Sequence, residues 1–362
     1  MAKMENSIRK QVIQFCYDKS LNMIKILRTV FVIGSIVPAL CMHAQDPSFS
    51  QFFSSPLNIN PALTANINAD WRMISNYRDQ WIGPASPYVT GTVSFDTKVM
   101  QHKTPDNIEN NFIGVGGMLM FDHAMSGVVQ STYASLDLAY NIKLSETDRY
   151  LERLSVGFGA IYGHRRIDYN RVTFEEQFTG FGFNTNLPTG ESSLSNMKPY
   201  VSVSTGITYT ATTEKTNFDI GVAAFHVNKP KQTFLKDENE ILPIRKVAHS
   251  NFEMFLNERT VININGIYQY QKKASYFSFG GAAGYYVSND AQALVTAGLW
   301  YWSANALVPY LGLAYKKFQF GVSYDLTISK LNDAARRPNS WELSLILRGE
   351  RKPSGVIPCP WK

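Results

Sequence analysis

The chain has 362 residues, of which 44% are hydrophobic, 13% aromatic and 18% charged. This excludes a disordered chain and leaves room for one large domain or two ordinary ones. The net charge of +6 comes mostly from the start: six of the 35 Lys/Arg and two of the 29 Asp/Glu precede Gln45, which leaves 29 basic against 27 acidic residues. No basic run survives in the remainder, so the basic balance reads as a targeting feature and nucleic acid is excluded as a partner.

The first predicted element is a leader over residues 1–44, with its functional start at Met23. Lys25 and Arg28 precede an apolar run from Thr29 to Leu40, and Met42-His43-Ala44 offers a cleavage site before Gln45. That run is too short to cross a hydrocarbon core. Cys41 raises a lipoprotein alternative, but Leu40 stands where a small residue is wanted. Residues 1–22 read as an over-called start or an extension. Cys16 and Cys41 fall in the leader, so Cys359 is alone and makes no intrachain disulfide. His123, His164, His226 and His249 lack ligand spacing, so no metal and no cofactor is expected.

The next element is residues 45–68, which show no strand alternation. Asn60-Pro61-Ala62 is turn-forming, because proline restricts its own φ and the residue before it. Phe49, Phe52, Phe53, Leu57, Ile59 and Leu63 are too apolar for a solvated tail. The segment is expected to fold into a lumen as a plug.

From residue 69 to 348 the chain alternates with period two. Phe318, Phe320, Val322, Tyr324, Leu326 and Ile328 oppose Gln319, Gly321, Ser323, Asp325 and Thr327. Val201, Val203, Ile207 and Tyr209 oppose Ser202, Ser204, Gly206 and Thr208. Ile262, Ile264, Tyr268 and Tyr270 oppose Asn263, Asn265, Gln269 and Gln271. Trp341, Leu343, Leu345 and Leu347 oppose Glu342 and Ser344. Successive strand side chains point to opposite faces, so each segment is a strand with one apolar face. A leader, a polar face of small uncharged residues and aromatics crowded at strand ends together favour a membrane barrel over a soluble sandwich. In lipid every backbone amide must be paired, so the strands must close on themselves.

The fold expected is therefore all-β: a transmembrane antiparallel β-barrel of about 14 strands. They lie near 69–77, 88–99, 111–122, 129–143, 152–165, 199–212, 217–226, 247–256, 259–271, 275–287, 291–303, 307–315, 317–328 and 341–348. Long connections near 166–198, 227–246 and 329–340 follow odd strands, and short turns follow the sixth, eighth and twelfth. That parity fits long outer loops and periplasmic termini. The connection near 100–110 is long for a periplasmic turn. By inward parity Arg72, Arg78 and Asp325 line the lumen, where the arginines could pair with such acids and Asp325 could bond the plug. Residues 349–362 read as a charged periplasmic tail.

Several blocks carry a family resemblance. Gln45 to Ala65, QDPSFSQFFSSPLNINPALTA, includes Phe49, Phe52, Asn60, Pro61 and Ala62. Asn76-Tyr77-Arg78-Asp79-Gln80-Trp81 follows, then Tyr88 and Ser94-Phe95-Asp96. His226 to Leu235, HVNKPKQTFL, contains His226, Pro230, Gln232 and Phe234, with Leu242-Pro243 and His249 after it. The last blocks are Ser323 to Leu331, Trp341 to Leu345 and Cys359-Pro360. Together they resemble the PorP/SprF family of the type IX secretion system, found in the Bacteroidota. Arg336-Arg337-Pro338-Asn339-Ser340 departs from it, standing where a Gly-rich stretch is expected.

The resemblance implies a non-enzymatic accessory component of protein export and gliding in the outer membrane, in contact with its lipid. Members of the family are implied to attach the periplasmic ring lipoprotein to the membrane, or to serve export or retention of one large surface adhesin. Phe174, Phe178, Phe181 and Phe183, spaced among Gly and Asn in the loop after the fifth strand, suit partner binding; loop packing over the barrel mouth is the alternative. A channel for small apolar solutes is the rival reading. A hydrolase is not expected, because no G-x-S-x-G motif is present.

Overall fold

A computed structural model describes residues 46–82, 88–100, 111–147, 150–191, 197–232, 241–287, 293–303, 305–330 and 338–349. The leader, Phe234, the connection 101–110, Arg336-Arg337 and the tail from residue 350 lie outside them.

Period-two alternation gives the strands. They are β1 (Trp71–Gln80), β2 (Tyr88–Val99), β3 (Phe112–Ala124), β4 (Val129–Thr147), β5 (Tyr150–Ile167), β6 (Tyr200–Thr213) and β7 (Thr216–Phe225). The second half holds β8 (Arg245–Phe255), β9 (Thr260–Gln271), β10 (Ala274–Tyr286), β11 (Ala293–Trp302), β12 (Ala306–Tyr315), β13 (Phe318–Thr327) and β14 (Ser340–Arg348). Each pairs antiparallel with its sequence neighbours, and β1 pairs with β14, so the sheet closes into a barrel. Closure leaves no sheet edge, which a hydrocarbon environment requires. No helix among the described residues is long and apolar enough to cross a membrane.

The two faces sort by chemistry. Phe318, Phe320, Tyr324 and Leu326 are exposed on the outside of β13, while Gln319, Ser323 and Asp325 are buried within. Val201, Val203 and Ile207 face out from β6, and Ser202, Ser204 and Thr208 face in. An apolar outside around a polar inside inverts the water-soluble pattern and suits lipid.

Two expectations need correction. The inner face is not uncharged: Arg72, Arg78, Asp96, Asp137, Arg153, Arg245, Glu253, Asp325 and Glu342 are all buried there. Parity had already assigned Arg72, Arg78 and Asp325 to this face, whereas the compositional reading weighed only its small uncharged majority. Second, β4 and β5 run to Thr147 and from Tyr150, beyond the ends expected at 143 and 152, with a register shift between Lys143 and Ser145. The register shift interrupts the alternation there, and Lys143 pairs with Glu146 across its half-exposed surface at 2.8 Å.

The segment before β1 lies inside the barrel. It forms three single turns, Phe52–Ser54, Pro56–Ile59 and Pro61–Leu63, each short because a proline or a polar cap interrupts the next. Phe52 and Ile59 pack into a cluster with Phe225, Val247, Ile267, Trp300, Val308 and Tyr310 from the β7–β12 wall. Phe49 and Leu57 pack against Met118 and Met120 of β3, on another wall.

Candidate functional site: the junction of plug and wall

Four polar anchors fix the inner segment, and each begins with a residue of the alternating inner face. At the seam where β1 meets β14, Arg78 stands opposite Glu342. Its guanidinium pairs with Glu342 and reaches Asp325 of β13 at 2.9 Å, with all three side chains almost fully buried. Arg78 also lies over the Trp302 ring, 4.9 Å from its centroid. The segment completes this cluster. The Ser50 and Gln51 amides donate to the two Glu342 carboxylate oxygens at 2.6 and 2.8 Å. Ser50 Oγ donates to Asp325 at 2.7 Å and accepts from Arg78 at 2.7 Å. One cation thus faces two carboxylates, and the backbone amides of the plug supply the remaining donors. Charge-assisted bonds of this kind are about twice as strong as neutral ones.

The second anchor joins Asp46 to two strands. Its Oδ2 lies 2.6 Å from His226 Nε2 and 3.1 Å from Arg245 Nε. His226, just past β7, holds φ +59°, a left-handed conformation unusual for a residue with a side chain. Its Nδ1 contacts Ser202 Oγ of β6 at 2.7 Å, so the strained turn is held from both ring nitrogens.

At the third anchor, Asn60 Oδ1 caps the Pro61–Leu63 turn by accepting from the Ala62 amide at 2.8 Å. Its Nδ2 donates to Thr208 Oγ1 at 3.0 Å and lies 3.0 Å from His249 Nε2. The turn needs room as well as partners. Gly114, Ala139, Gly157 and Gly206 form one cross-strand row on β3 to β6. A Cβ on Gly157 would sit 2.2 Å from the Ala62 nitrogen, and one on Gly206 would sit 2.0 Å from Asn60 Oδ1. A Cβ on Gly114 would meet the Thr64 carbonyl oxygen at 2.3 Å. Glycine in a strand often marks such close backbone approach.

The fourth anchor is Asp96 of β2. It takes two bonds from Arg72, at 3.0 and 2.6 Å, and one from the Ala65 amide at 2.8 Å. Between plug and wall a cavity of about 70 Å³ remains, lined by Phe52, Phe53, Ile59, Asp219 and His249 among others. That is small beside the several hundred Å³ of an ordinary ligand pocket.

The structure therefore gathers Phe49, Phe52, Asn60, Pro61, Ala62, Arg72, Arg78, Asp325 and His226 into one junction. Arg72 pairs with Asp96 and not with Asp325, which belongs to Arg78. Pro230 is buried, and its carbonyl accepts from the Leu242 amide at 2.8 Å; Gln232 is half-buried nearby along the loop. The loop aromatics stand apart from the junction. Phe178 and Phe183 face each other across a small bridge with ring centroids 5.2 Å apart, and Phe181 at its tip is fully exposed. Gly180 and Gly182 supply the positive φ angles of that tip. Phe174 is half-buried. Sequence reasoning missed Asp46, Ser50, Gln51, Asp96, Arg245, Glu342 and the glycine row. Among the described residues no three His, Cys, Asp or Glu side chains group as metal ligands.

The Asp325→Asn exchange is expected to loosen the seam by about 1.5–3 kcal/mol, the range for hydrogen bonds to a charged partner. It weakens the bonds from Ser50 and Arg78 but leaves Glu342 to neutralise the guanidinium. The temperature at which the folded barrel unfolds on a denaturing gel should fall, and an unchanged midpoint would contradict the anchor.

The model of the family described as type IX secretion system membrane protein PorP/SprF matches residues 42–347. No curated protein matches the chain in sequence. Solved structures similar in fold include a deltaS2 mutant of the TodX monoaromatic hydrocarbon channel, 10% identical, with 82% of this chain and 94% of that one covered and a TM-score of 0.45. The CymD monoaromatic hydrocarbon channel is 10% identical over 83% and 93% of the two chains, with a TM-score of 0.44. The toluene transporter TodX of P. putida is 10% identical over 81% and 93%, with a TM-score of 0.41.

Proposed function

The chain belongs to the PorP/SprF family of type IX secretion system membrane proteins, and from that premise we propose that this outer-membrane barrel works as a closed docking component, partnering export or surface retention of a large adhesin. The observation that carries this reading is the filled lumen. Residues 46–66 are tied to the wall by four buried polar anchors and two apolar clusters, so the bore is occupied by the chain itself. A barrel filled in this way offers its loops and its outer wall to partners. The chemistry is then recognition without catalysis.

The loop after β5 supplies the contact surface in this reading. Phe181 is presented on a short hairpin braced by the Phe178–Phe183 pair and by the Thr179 amide donating to the Gly182 carbonyl at 2.9 Å. A rigid exposed aromatic is the kind of anchor that dominates protein interfaces. Loop parity directs this hairpin to the cell exterior.

Phe181→Ser is expected to leave barrel abundance unchanged and to reduce recovery of a cross-linked adhesin several-fold. A photo-cross-linker at position 181 in intact cells checks this. Capture of a large secreted protein supports the reading. Cross-links only to the periplasmic ring lipoprotein would overturn it in favour of membrane attachment of the ring.

A further inference from the structure

The outer wall carries a feature that neither the lumen nor the loops use. On the lipid face of β3, β4 and β5 the side chains shrink to Gly117, Ala134 and Ala160, while Leu119, Leu136 and Tyr162 beside them stay large. The result is a depression of about 590 Å³ with an almost wholly apolar lining. Hydrocarbon must fill it, since an empty void forfeits the contacts of its lining.

Strand register places a basic row above this depression. His123 pairs with Gln130, Gln130 with Arg166, and Thr132 with His164. All lie on the outward parity of their strands, because their neighbours Asp122, Ser131 and Arg165 face inward: Asp122 bonds Thr90 and Arg165 bonds Ser131. Gln130 Oε1 accepts from both Arg166 Nε and Nη2, at 2.8 and 2.6 Å, which orients the exposed guanidinium along the wall. Arg166 stands four residues beyond Tyr162 on the same face, about 13 Å along the strand at roughly 3.3 Å per residue. That is the separation of a lipid headgroup from the upper part of its chains. Asp79 occupies the same row two strands beyond His123, so the positive end is the Arg166 side.

The row lies at the ends of β3 and β5, the side from which the Phe181 loop emerges. By loop parity this is the outer leaflet, where the anionic lipid is a phosphorylated, multiply acylated glucosamine. We propose that this face is a binding site for lipid A, with an acyl chain in the Ala134–Ala160 depression and a phosphate on Arg166 and His164. Arginine suits phosphate through its planar fork of donors. The apolar hollow and the charge row together select a lipid that is both bulky in its chains and phosphorylated. A fixed lipid here would hold the barrel's height and rotation in the membrane beneath its loop.

Native mass spectrometry of the full-length barrel in detergent tests this, titrated with monophosphoryl lipid A, its dephosphorylated form and phosphatidylglycerol. The wild-type barrel is expected to retain monophosphoryl lipid A about ten-fold better than either alternative. Arg166→Glu is expected to remove that preference, and Ala134→Phe to lower retention about ten-fold by filling the hollow. Equal retention of lipid A and phosphatidylglycerol would mean a general anionic surface and overturn the proposal. Undiminished lipid A binding by either variant would overturn it as well. Arg166 is exposed, so its variant tests the site even where Ala134→Phe fails to fold.

Discussion

Arg78→Met is expected to destabilise the barrel by about 3–5 kcal/mol, the cost of removing one partner from a buried ion pair. The reason lies in the seam between β1 and β14. Asp325 and Glu342 are both buried, and Arg78 is the cation they share. Methionine fills much of the same volume and still packs near Trp302, so lost packing is a minor part of the effect. What remains is two carboxylates out of water, with the Ser50 and Gln51 amides as the chief donors left to Glu342. Arg78→Lys keeps the charge but loses the fork that reaches both acids, so its effect should be intermediate. The unfolding midpoint in urea, read in detergent by intrinsic fluorescence, orders the variants. Arg78→Met should fall below Arg78→Lys, and both below wild type. A loss for Arg78→Met smaller than that for Asp325→Asn would show that the cation is not the centre of the cluster.

The seam also shows what could be read in the chain beforehand. Strand number and facing were legible because alternation is a local property: in Phe318–Thr327 each residue declares its side by its own chemistry. The apolar character of residues 45–68 was legible for the same reason, since six large apolar side chains in a strandless segment need shelter. The pairings were not. Ser50 and Glu342 are 292 residues apart and Asp46 and His226 are 180 apart, and both contacts depend on the register in which the barrel closes. Inward parity put Arg72 and Arg78 on one face of β1 but gave no means of dividing Asp96 and Asp325 between them. The glycine row had a faint signal. Gly114, Gly157 and Gly206 all take inward positions, and an inward glycine in a strand suggests that another backbone passes close by. Only the cross-strand register reveals that the three stand in one line.

That line is where the plug is most vulnerable to a single change. Gly157→Val is expected to unseat residues 60–64, because the nearest atoms to the new Cβ are the backbone of Pro61 and Ala62, at 2.2 to 2.5 Å. A side-chain tip could swing away, but the turn is held by Asn60 on one side and by the Asp96–Ala65 bond on the other. Overpacking a rigid site costs about 1–3 kcal/mol or more, which is comparable to the worth of a single anchor. The strain is relieved at least expense if the turn lifts off the wall and the barrel itself stays closed. The expected result is a folded barrel with residues 46–66 open to protease and with a higher ion conductance in planar bilayers than the wild-type protein. A mutant cycle separates this seat from a general strand defect. At Gly206 the nearest atom to a new Cβ is Asn60 Oδ1, so Gly206→Ala should cost clearly less in an Asn60→Ala background than alone. Strictly additive losses, or a Gly157→Val barrel whose inner segment stays protected, would mean that the row is small for the sake of the strands and not for the plug.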